Sequence, residues 1–445
     1  MSTQKKGSGI IGYLPDETPS IGKLIIFAFQ QILVMFPATV TVALLTGFHV
    51  STTIFASGLA TLCFLLITKG KIPLYFGSSF SYIAAVVSIT GAHEFGAIAP
   101  DSLIGEAQFG IICSGFISIA AGLIVSRFGM EKIEKVLPPT VTGSIALVIG
   151  ISLAGTAMTQ AIGFGGGSSP IENKLWIAAL VTLLSTVGFS IYLKGVLGQL
   201  PILFGIIVGY IVSIPLGLID FSTIMADGVI ALPHFTLPVV NSRAVLAIMP
   251  IAIATIPEST AHLFQLDIYV NDLAKKKGKG EYKIADKLGL NLIGDGVGDI
   301  VASLFGGPGG TNYGENISTM AITKNFSVRM LGSAAILAIV LSFVKPLSNL
   351  INTVPGAVIN GACIFLFGVI AAQGIAIMIN KNVDMFDSRN LAVVAVINII
   401  GLGGTYGFPN GMIPFFGAEL PAIATASIVG IALHLLLSIG RKAEA

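Results

Sequence analysis

The chain has 445 residues, of which 54% are hydrophobic and only 10% are charged. Soluble domains carry about 25% charged residues, so this chain lacks the polar surface that a water-soluble protein of its size needs. The 24 basic and 22 acidic residues nearly cancel, which argues against a nucleic-acid-binding protein. The composition therefore predicts an all-α polytopic protein of the lipid bilayer.

Apolar runs of about 20 residues, the length that crosses a bilayer, recur along the whole chain. We predict fourteen membrane-spanning segments, numbered 1 to 14 below. Their bounds in chain order are 22–46, 50–68, 74–92, 105–126, 138–158, 174–193, 198–218, 244–267, 286–306, 311–325, 329–346, 356–379, 390–404 and 420–440. Segments 3 and 10 are rich in Gly, Pro, Ser and Asn, so we expect broken helices there.

The Lys and Arg residues provide an independent check on the number of segments. With fourteen segments, 21 of the 24 basic residues fall on one side of the membrane, and only Lys174, Arg243 and Lys345 fall on the other. Cytoplasmic loops of membrane proteins carry an excess of Lys and Arg, so the first side is predicted to be cytoplasmic. We therefore expect a multi-pass protein of the inner (plasma) membrane with both termini in the cytoplasm.

A loose internal similarity relates segment 5 to segment 12. Residues 139–150, PTVTGSIALVIG, are similar to residues 357–368, AVINGACIFLFG. Because a shift of seven segments reverses the orientation, this match predicts a 7+7 inverted repeat, which is common in secondary transporters. The same shift pairs the two broken segments, 3 and 10. Interrupted segments in matching positions of two halves are typical of a substrate-binding site.

Two glutamates lie inside the predicted membrane-spanning segments. Glu258 follows Pro257 in the middle of segment 8, and Glu315 lies at the break of segment 10. A carboxylate at the bilayer centre costs at least about 2.5–3.5 kcal/mol, so such a group must be paired, protonated or exposed to water. His262 lies four residues after Glu258, on the same helix face. We expect these three groups to bind a substrate or to carry a proton.

Asp295 and Asp299 form a second pair at i, i+4 spacing, in segment 9. The sequence leaves three roles open for this pair: to hold a counter-charge, to form hydrogen bonds with the broken segment 10, or to lie near the cytoplasmic end of the helix. We favour a structural role. No Ser/His/Asp or HExxH arrangement indicates an enzyme, and we expect neither a cofactor nor metal-ligating residues in this chain.

A ten-residue motif at the start of segment 10 is specific for one transporter family. Residues 315–324, ENISTMAITK, are similar to a signature that reads Gln, Glu or Pro, then Asn-x-Gly, four residues, Thr, and Arg, Lys or Gly. Supporting matches lie at Gln30 and at residues 35–40, 69–73 and 77–80. The chain therefore resembles the nucleobase/ascorbate transporter family (nucleobase:cation symporter 2) over nearly its whole length, in particular the bacterial branch that carries uracil.

The resemblance implies two domains, each built from both halves of the chain. Segments 1–4 and 8–11, residues 1–136 and 243–347, would form a core domain. Segments 5–7 and 12–14, residues 137–242 and 348–445, would form a gate domain. Short antiparallel strands in segments 3 and 10 would hold the substrate between the two domains. Members of this family are usually homodimers, so the resemblance also implies a homodimer.

The resemblance also implies which residues bind the substrate. Glu258 and Glu315 would accept hydrogen bonds from ring N–H groups, and the backbone amides of Phe80 and Gly314 would donate to carbonyl oxygens. Tyr313 would help to shape the pocket.

Two further roles follow from the same resemblance. Ala38 would contact the ring of the base, and His262 would take part in proton coupling together with Glu258 and Glu315. The expected activity is therefore import of a nucleobase, most simply uracil, by H⁺ symport through alternating access. Na⁺ is the alternative coupling ion.

The sequence departs from the family pattern at several positions. Gln31 stands where many members have His, and Ser318 replaces the glycine of the signature. Pro257 precedes the key glutamate of segment 8, and Phe367 stands where the uracil-carrying members have Tyr. Glu315 favours uracil, because carriers of xanthine and urate usually have Gln there; those purines are the alternative substrates. An anion carrier of the sulfate-permease type would share the fold but lack the paired glutamates.

Overall fold

The structure is a computed structural model that describes residues 12–92, 96–128, 135–162, 170–195, 197–222, 228–415 and 418–439. Both chain termini lie outside these residues, as do five of the basic residues used in the orientation argument: Lys5, Lys6, Lys132, Arg441 and Lys442. Each of the fourteen predicted segments overlaps at least one described helix.

Helices dominate the described part of the chain. Their bounds are α1 Ile21–Thr46, α2 Val50–Ile67, α3 Ile83–Thr90, α4 Asp101–Phe128, α5 Pro139–Ser152, α6 Ala154–Ile162, α7 Pro170–Tyr192, α8 Pro201–Ser213, α9 Ser242–Ile248, α10 Ala252–Lys276, α11 Leu288–Leu304, α12 Gly314–Thr323, α13 Val328–Ser342, α14 Lys345–Asn352, α15 Gly356–Asn380, α16 Ser388–Gly407 and α17 Ala422–Ser438. Four short strands accompany them: β1 Phe76–Ser78, β2 Gly310–Asn312, β3 Met412–Phe415 and β4 Ala418–Pro421.

Among the described residues, eight helical stretches are long and apolar enough to cross a membrane. They are Ile21–Thr46, Val50–Ile67, Asp101–Phe128, Pro139–Thr159, Asn173–Tyr192, Ser242–Lys276, Gly356–Asn380 and Ser388–Gly407. Four shorter apolar helices span Phe80–Thr90, Pro201–Ser213, Val328–Ser342 and Ala422–Ser438. The prediction of a mostly helical protein with several candidate membrane spans is confirmed.

Segments 3 and 10 each begin with a strand, and the two strands pair with each other. β1 and β2 are antiparallel, with Phe76 opposite Asn312 and Ser78 opposite Gly310. The chain leaves β1 through a single 3₁₀ turn into α3, and it leaves β2 directly into α12. Because the strands are antiparallel, these two helices start from opposite ends of the strand pair. All residues of both strands are buried.

Neighbouring helices supply hydrogen-bond partners for the irregular backbone of this strand pair. Such backbone is tolerated at membrane depth only where its polar groups are satisfied. The hydroxyls of Ser57 and Thr61 on α2 each donate to the carbonyl oxygen of Phe76 at 2.9 Å, and the Phe76 N–H donates to Thr61 Oγ1 at 3.0 Å. On the other strand, the Gly310 N–H donates to Asp299 Oδ1 on α11 at 2.7 Å. Helices α2 and α11 therefore hold the strand pair in place.

Glycine allows the helices around this strand pair to approach closely. A Cβ atom added at Gly115 of α4 would lie 2.6 Å from the carbonyl oxygen of Gly296 on α11. One added at Gly58 of α2 would lie 2.6 Å from the carbonyl oxygen of Ala335 on α13. Membrane helices associate through small residues in this way, because their backbones can then make extensive van der Waals contact.

Replacing Gly115 by alanine is therefore expected to destabilise the protein. Within a helix this change ordinarily stabilises by about 0.5–1 kcal/mol. At Gly115 the added methyl group collides with the backbone of α11, and overpacking of this kind costs about 1–3 kcal/mol. Thermal unfolding of the detergent-purified protein measures the difference. Gly188→Ala on α7 is the matched control, since a Cβ atom there meets nothing within 4 Å. Equal unfolding temperatures for both variants would contradict this packing argument.

Candidate functional site

Five of the predicted site residues come together where α10 faces the two broken segments. Glu258 and His262 lie one turn apart on α10, and Gly314 and Glu315 begin α12. A Cβ atom added at Gly314 would lie 2.8 Å from Nε2 of His262, so the start of α12 touches α10. The carboxylates of Glu258 and Glu315 are close enough to interact electrostatically. Phe80 opens the 3₁₀ turn after β1.

Segment 3 also contributes a side chain to this site, one that the sequence did not indicate. Ser81 Oγ donates a hydrogen bond of 3.2 Å to Oε2 of Glu258. Phe80, Glu258, His262, Gly314 and Glu315 are all only partly buried, so each keeps some accessible surface. The site therefore combines two carboxylates, one imidazole and two helix starts, whose first backbone N–H groups have no acceptor within their own helix.

Tyr313 and Ala38, by contrast, are almost fully buried. Tyr313 is 4% exposed, and its hydroxyl donates to the carbonyl oxygen of Ser78 at 3.1 Å and lies 2.9 Å from the hydroxyl of Thr39. Its ring lies over Gly77, where a Cβ atom would come within 2.5 Å of the ring. Ala38, beside Thr39 on α1, is 7% exposed. Tyr313 thus connects the strand pair to α1 and fixes the position of both.

A buried polar network lies directly behind Glu258. The next residue, Ser259, donates from its hydroxyl to Asp295 Oδ2 on α11. The same hydroxyl accepts hydrogen bonds from the side-chain amides of Asn291, at 2.7 Å, and Asn312, at 3.1 Å. Since Asn312 is the last residue of β2, this network joins α10, α11 and the strand pair. It therefore holds the backbone beside Glu258 against the broken segment 10.

Asp299 has a different set of partners from Asp295. One carboxylate oxygen accepts from the Gly310 N–H of β2, and the other accepts from the Tyr82 hydroxyl at 3.1 Å. The Tyr82 hydroxyl also lies 2.7 Å from that of Ser114 on α4. The sequence left three roles open for Asp299. The structure shows one of them, because Asp299 accepts a hydrogen bond from the broken segment 10.

Gln31, one of the departures from the family pattern, has a defined set of contacts in the structure. The side-chain amide of Asn316, the second residue of the signature, donates to the Gln31 carbonyl oxygen at 3.0 Å and to its Oε1 at 2.7 Å. Gln31 is 1% exposed. The side chain that replaces histidine here therefore anchors the signature motif to α1. Ser318 is partly buried on α12, and nothing in the structure explains its presence in place of glycine.

Phe80 and Phe367 are in contact across the site. Their ring centroids lie 5.7 Å apart with an interplanar angle of 78°, an edge-to-face arrangement. Phe367 lies on α15, in segment 12, and is 1% exposed. Aromatic pairs of this geometry are favourable because the positive edge of one ring meets the negative face of the other. The contact joins a residue of the predicted core domain to one of the predicted gate domain.

The relatives of this chain identify its family. Residues 22–410 match the family model described as "Permease family". The chain belongs to the Permease family. Among its relatives there, the uracil permease of Bacillus caldolyticus is 36% identical over 428 residues, which cover 95% of this chain and 93% of that protein. The uracil permease of Escherichia coli K12 is 34% identical, with the same two coverages. The resemblance found in the sequence is confirmed.

Solved structures with the same fold are also membrane transporters. The murine Solute Carrier 26 family member A9 anion transporter, in its inward-facing state, aligns with a TM-score of 0.67 at 13% identity and covers 98% of this chain and 73% of that chain. The transmembrane domain of a cyanobacterium bicarbonate transporter, BicA, aligns with a TM-score of 0.57 at 14% identity, with coverages of 93% and 97%. These identities show a shared fold alone. The permease relatives and the apolar helices together identify this chain as a multi-pass membrane protein.

Proposed function

We propose that this protein is a secondary active transporter that imports a nucleobase, with uracil as its substrate. The observation that carries this proposal is the meeting of two partly accessible carboxylates, Glu258 and Glu315, with two helix starts at Phe80 and Gly314. The relatives named as uracil permeases match this chain over nearly its full length, which supports the same substrate.

Uracil has the hydrogen-bonding pattern that this site complements. Its edge alternates N–H donors with carbonyl acceptors. Glu258 and Glu315 accept from the N–H groups, and the free backbone amides of Phe80 and Gly314 donate to the carbonyl oxygens. The positive end of each helix dipole adds to the attraction for these oxygens. Ala38 and Tyr313 form the wall behind the site instead of supplying its polar contacts.

The proposed architecture is a 7+7 inverted repeat with a core and a gate domain, and the helix contacts support it. Segment 4 packs against segment 9, and the related segment 11 packs against segment 2. Segment 5 packs against segment 13, and the related segment 12 packs against segment 6. Every one of these contacts recurs after a shift of seven segments, as a two-fold relation between the halves requires. Alternating access then moves the core against the gate around the Phe80–Phe367 contact.

Uptake into proteoliposomes tests the proposed substrate. Purified protein is reconstituted, and entry of radiolabelled uracil is measured under an inward proton gradient, with unlabelled uracil, xanthine, urate and sulfate as competitors. We expect saturable uracil uptake that only uracil and close analogues inhibit. In parallel assays with radiolabelled xanthine, urate or sulfate, uptake of xanthine or urate that uracil does not inhibit would instead identify a purine carrier. Sulfate uptake that uracil does not affect would identify an anion carrier.

The proposed orientation predicts which loops are cytoplasmic. A cysteine at Lys279, in the loop between segments 8 and 9, is expected to react with a membrane-impermeant maleimide only from the cytoplasmic face. A cysteine at Asp220, between segments 7 and 8, is expected to react only from outside. The parent chain controls for Cys63, Cys113 and Cys363. Reaction of both introduced cysteines from one face would contradict the fourteen-segment topology.

A further inference from the structure

His49, Asp101 and His234 come from three separate parts of the chain and meet at one end of the molecule. His49 precedes α2, Asp101 is the first residue of α4, and His234 lies in the extended segment 228–241 before α9. Nε2 of His234 lies 2.9 Å from Oδ2 of Asp101, and Nε2 of His49 lies 3.9 Å from Oδ1. One ligand atom from each residue lies within 4.8 Å of the other two.

The segment that carries His234 is held in place by its own backbone contacts. The Thr52 hydroxyl at the start of α2 donates to the His234 carbonyl oxygen at 2.7 Å. Two residues later, Thr236 exchanges hydrogen bonds with the buried side chain of Gln108 on α4: its hydroxyl donates to Oε1 at 2.8 Å, and its carbonyl oxygen accepts from Nε2 at 3.0 Å. The imidazole of His234 is therefore presented to Asp101 by a backbone that two helices fix.

The imidazole of His49 has an unsatisfied nitrogen that points to a ligand. Its Nε2 is buried and has no hydrogen-bond partner among the described residues, because 3.9 Å to Asp101 is too long for a hydrogen bond. A buried polar atom without a partner is costly. A cation bound between the three side chains would give this nitrogen a partner and would use the second oxygen of Asp101.

We propose that His49, Asp101 and His234 bind a divalent transition-metal ion of the Zn²⁺ class. Two imidazole nitrogens and one carboxylate oxygen are a donor set that Zn²⁺ favours. In a tetrahedral site with bonds of about 2.0–2.2 Å, ligand atoms lie about 3.3–3.5 Å apart. The separations are 2.9 Å from His234 Nε2 to Asp101 Oδ2 and 3.9 Å from His49 Nε2 to Asp101 Oδ1, so the two imidazoles face different oxygens of one carboxylate, at distances on either side of this value. Side-chain rotation closes the difference, since Asp101 and His234 are 60% and 53% exposed.

The residues around the proposed metal site determine how tightly it binds the ion and which parts of the chain the ion connects. Lys345 lines the adjoining cavity of about 80 Å³ together with His49, and its positive charge opposes a bound cation. Binding is therefore expected to be weaker than in a four-ligand structural zinc site, with water in the fourth position. The ion would tie the segment 228–241, which joins segment 7 to segment 8, to the starts of α2 and α4.

Metal binding to the full-length protein tests this site. The protein is purified in detergent with a histidine-free affinity tag, and Zn²⁺ binding is followed by titration calorimetry. We expect one Zn²⁺ per chain, and at least tenfold weaker binding in His49→Ala, His234→Ala and Asp101→Asn. Co²⁺ in place of Zn²⁺ should give the visible absorption of a four-coordinate ion, which a hydrogen bond between Asp101 and His234 alone would not produce.

Matched variants separate this site from other histidines and carboxylates of the chain. His434→Ala and Asp220→Asn are expected to bind Zn²⁺ as the parent chain does. Unfolding temperatures measured without metal show whether each variant is folded. No Zn²⁺ binding by the parent chain, equal weakening by His434→Ala, or a six-coordinate Co²⁺ spectrum would overturn the proposal. None of these measurements depends on transport, so they remain informative whatever the substrate is.

Discussion

Glu315→Ala is expected to weaken uracil binding roughly ten- to hundredfold. The reason is that a ring N–H of the bound base loses its acceptor in a site that is largely closed to water. An unpaired buried polar group costs about 1–3 kcal/mol, and a factor of ten in affinity corresponds to about 1.4 kcal/mol. Equilibrium binding of radiolabelled uracil to the purified protein measures the loss directly, without the complication of transport kinetics.

Two further variants make this result specific to the site. Glu281→Ala removes an exposed carboxylate from the loop between segments 8 and 9, and it is expected to bind uracil normally. Glu315→Gln retains an acceptor oxygen, so it should lose less affinity than Glu315→Ala. Because Glu315 lies in the first turn of α12, its removal also costs about 0.3–1 kcal/mol of helix stability, and unfolding temperatures control for this effect. Near-normal binding by Glu315→Ala would place the substrate elsewhere.

The positions of the helices could be predicted well from the sequence, and the physical reason is the bilayer. A span must be apolar for about 20 residues, and Lys and Arg accumulate on one side, so length and charge together determine where segments begin and end. Even the two breaks in segments 3 and 10 were visible, because Gly, Pro and Asn are unusual there. These patterns do not predict the antiparallel pairing of Phe76 with Asn312; only the family resemblance implied paired strands there.

The partners of the site residues could not be read from the sequence. Ser81 donates to Glu258 across a separation of 177 residues, and Asn316 donates to Gln31 across 285. Contacts between residues so far apart in the chain depend on how the segments pack. A single serine or glutamine has no periodic pattern that would reveal this packing. Spacing alone did reveal the pairs Glu258/His262 and Asp295/Asp299, because four residues make one helical turn. The sequence does not bring His49, Asp101 and His234 together, because they lie in three connections between segments that are far apart in the chain.

Glu258→Gln is expected to abolish gradient-driven accumulation of uracil while leaving most of its binding intact. A carboxylate within the membrane costs at least about 2.5–3.5 kcal/mol, and a bound proton removes that charge. If uracil requires one protonation pattern on Glu258 and Glu315, the proton and the base become linked ligands. Glutamine keeps an acceptor oxygen but cannot take up a proton. Loss of one net hydrogen bond, about 1 kcal/mol, would lower the affinity roughly fivefold, whereas the link to the gradient would vanish.

Proteoliposomes with a defined internal and external pH separate these two effects. The parent chain should accumulate uracil under an inward proton gradient, lose accumulation when a protonophore is added, and ignore Na⁺. Glu258→Gln should still exchange external for internal uracil at equal pH, because exchange requires binding and movement of the core but no net proton release. Glu281→Gln, outside the site, should behave as the parent chain does. His262 lies against the start of α12. If its imidazole is a second position for the proton, His262→Gln should reduce accumulation more than exchange. Uptake by the parent chain that Na⁺ drives at equal pH would refute proton coupling and would direct attention to Asp295 and Asp299 behind the site.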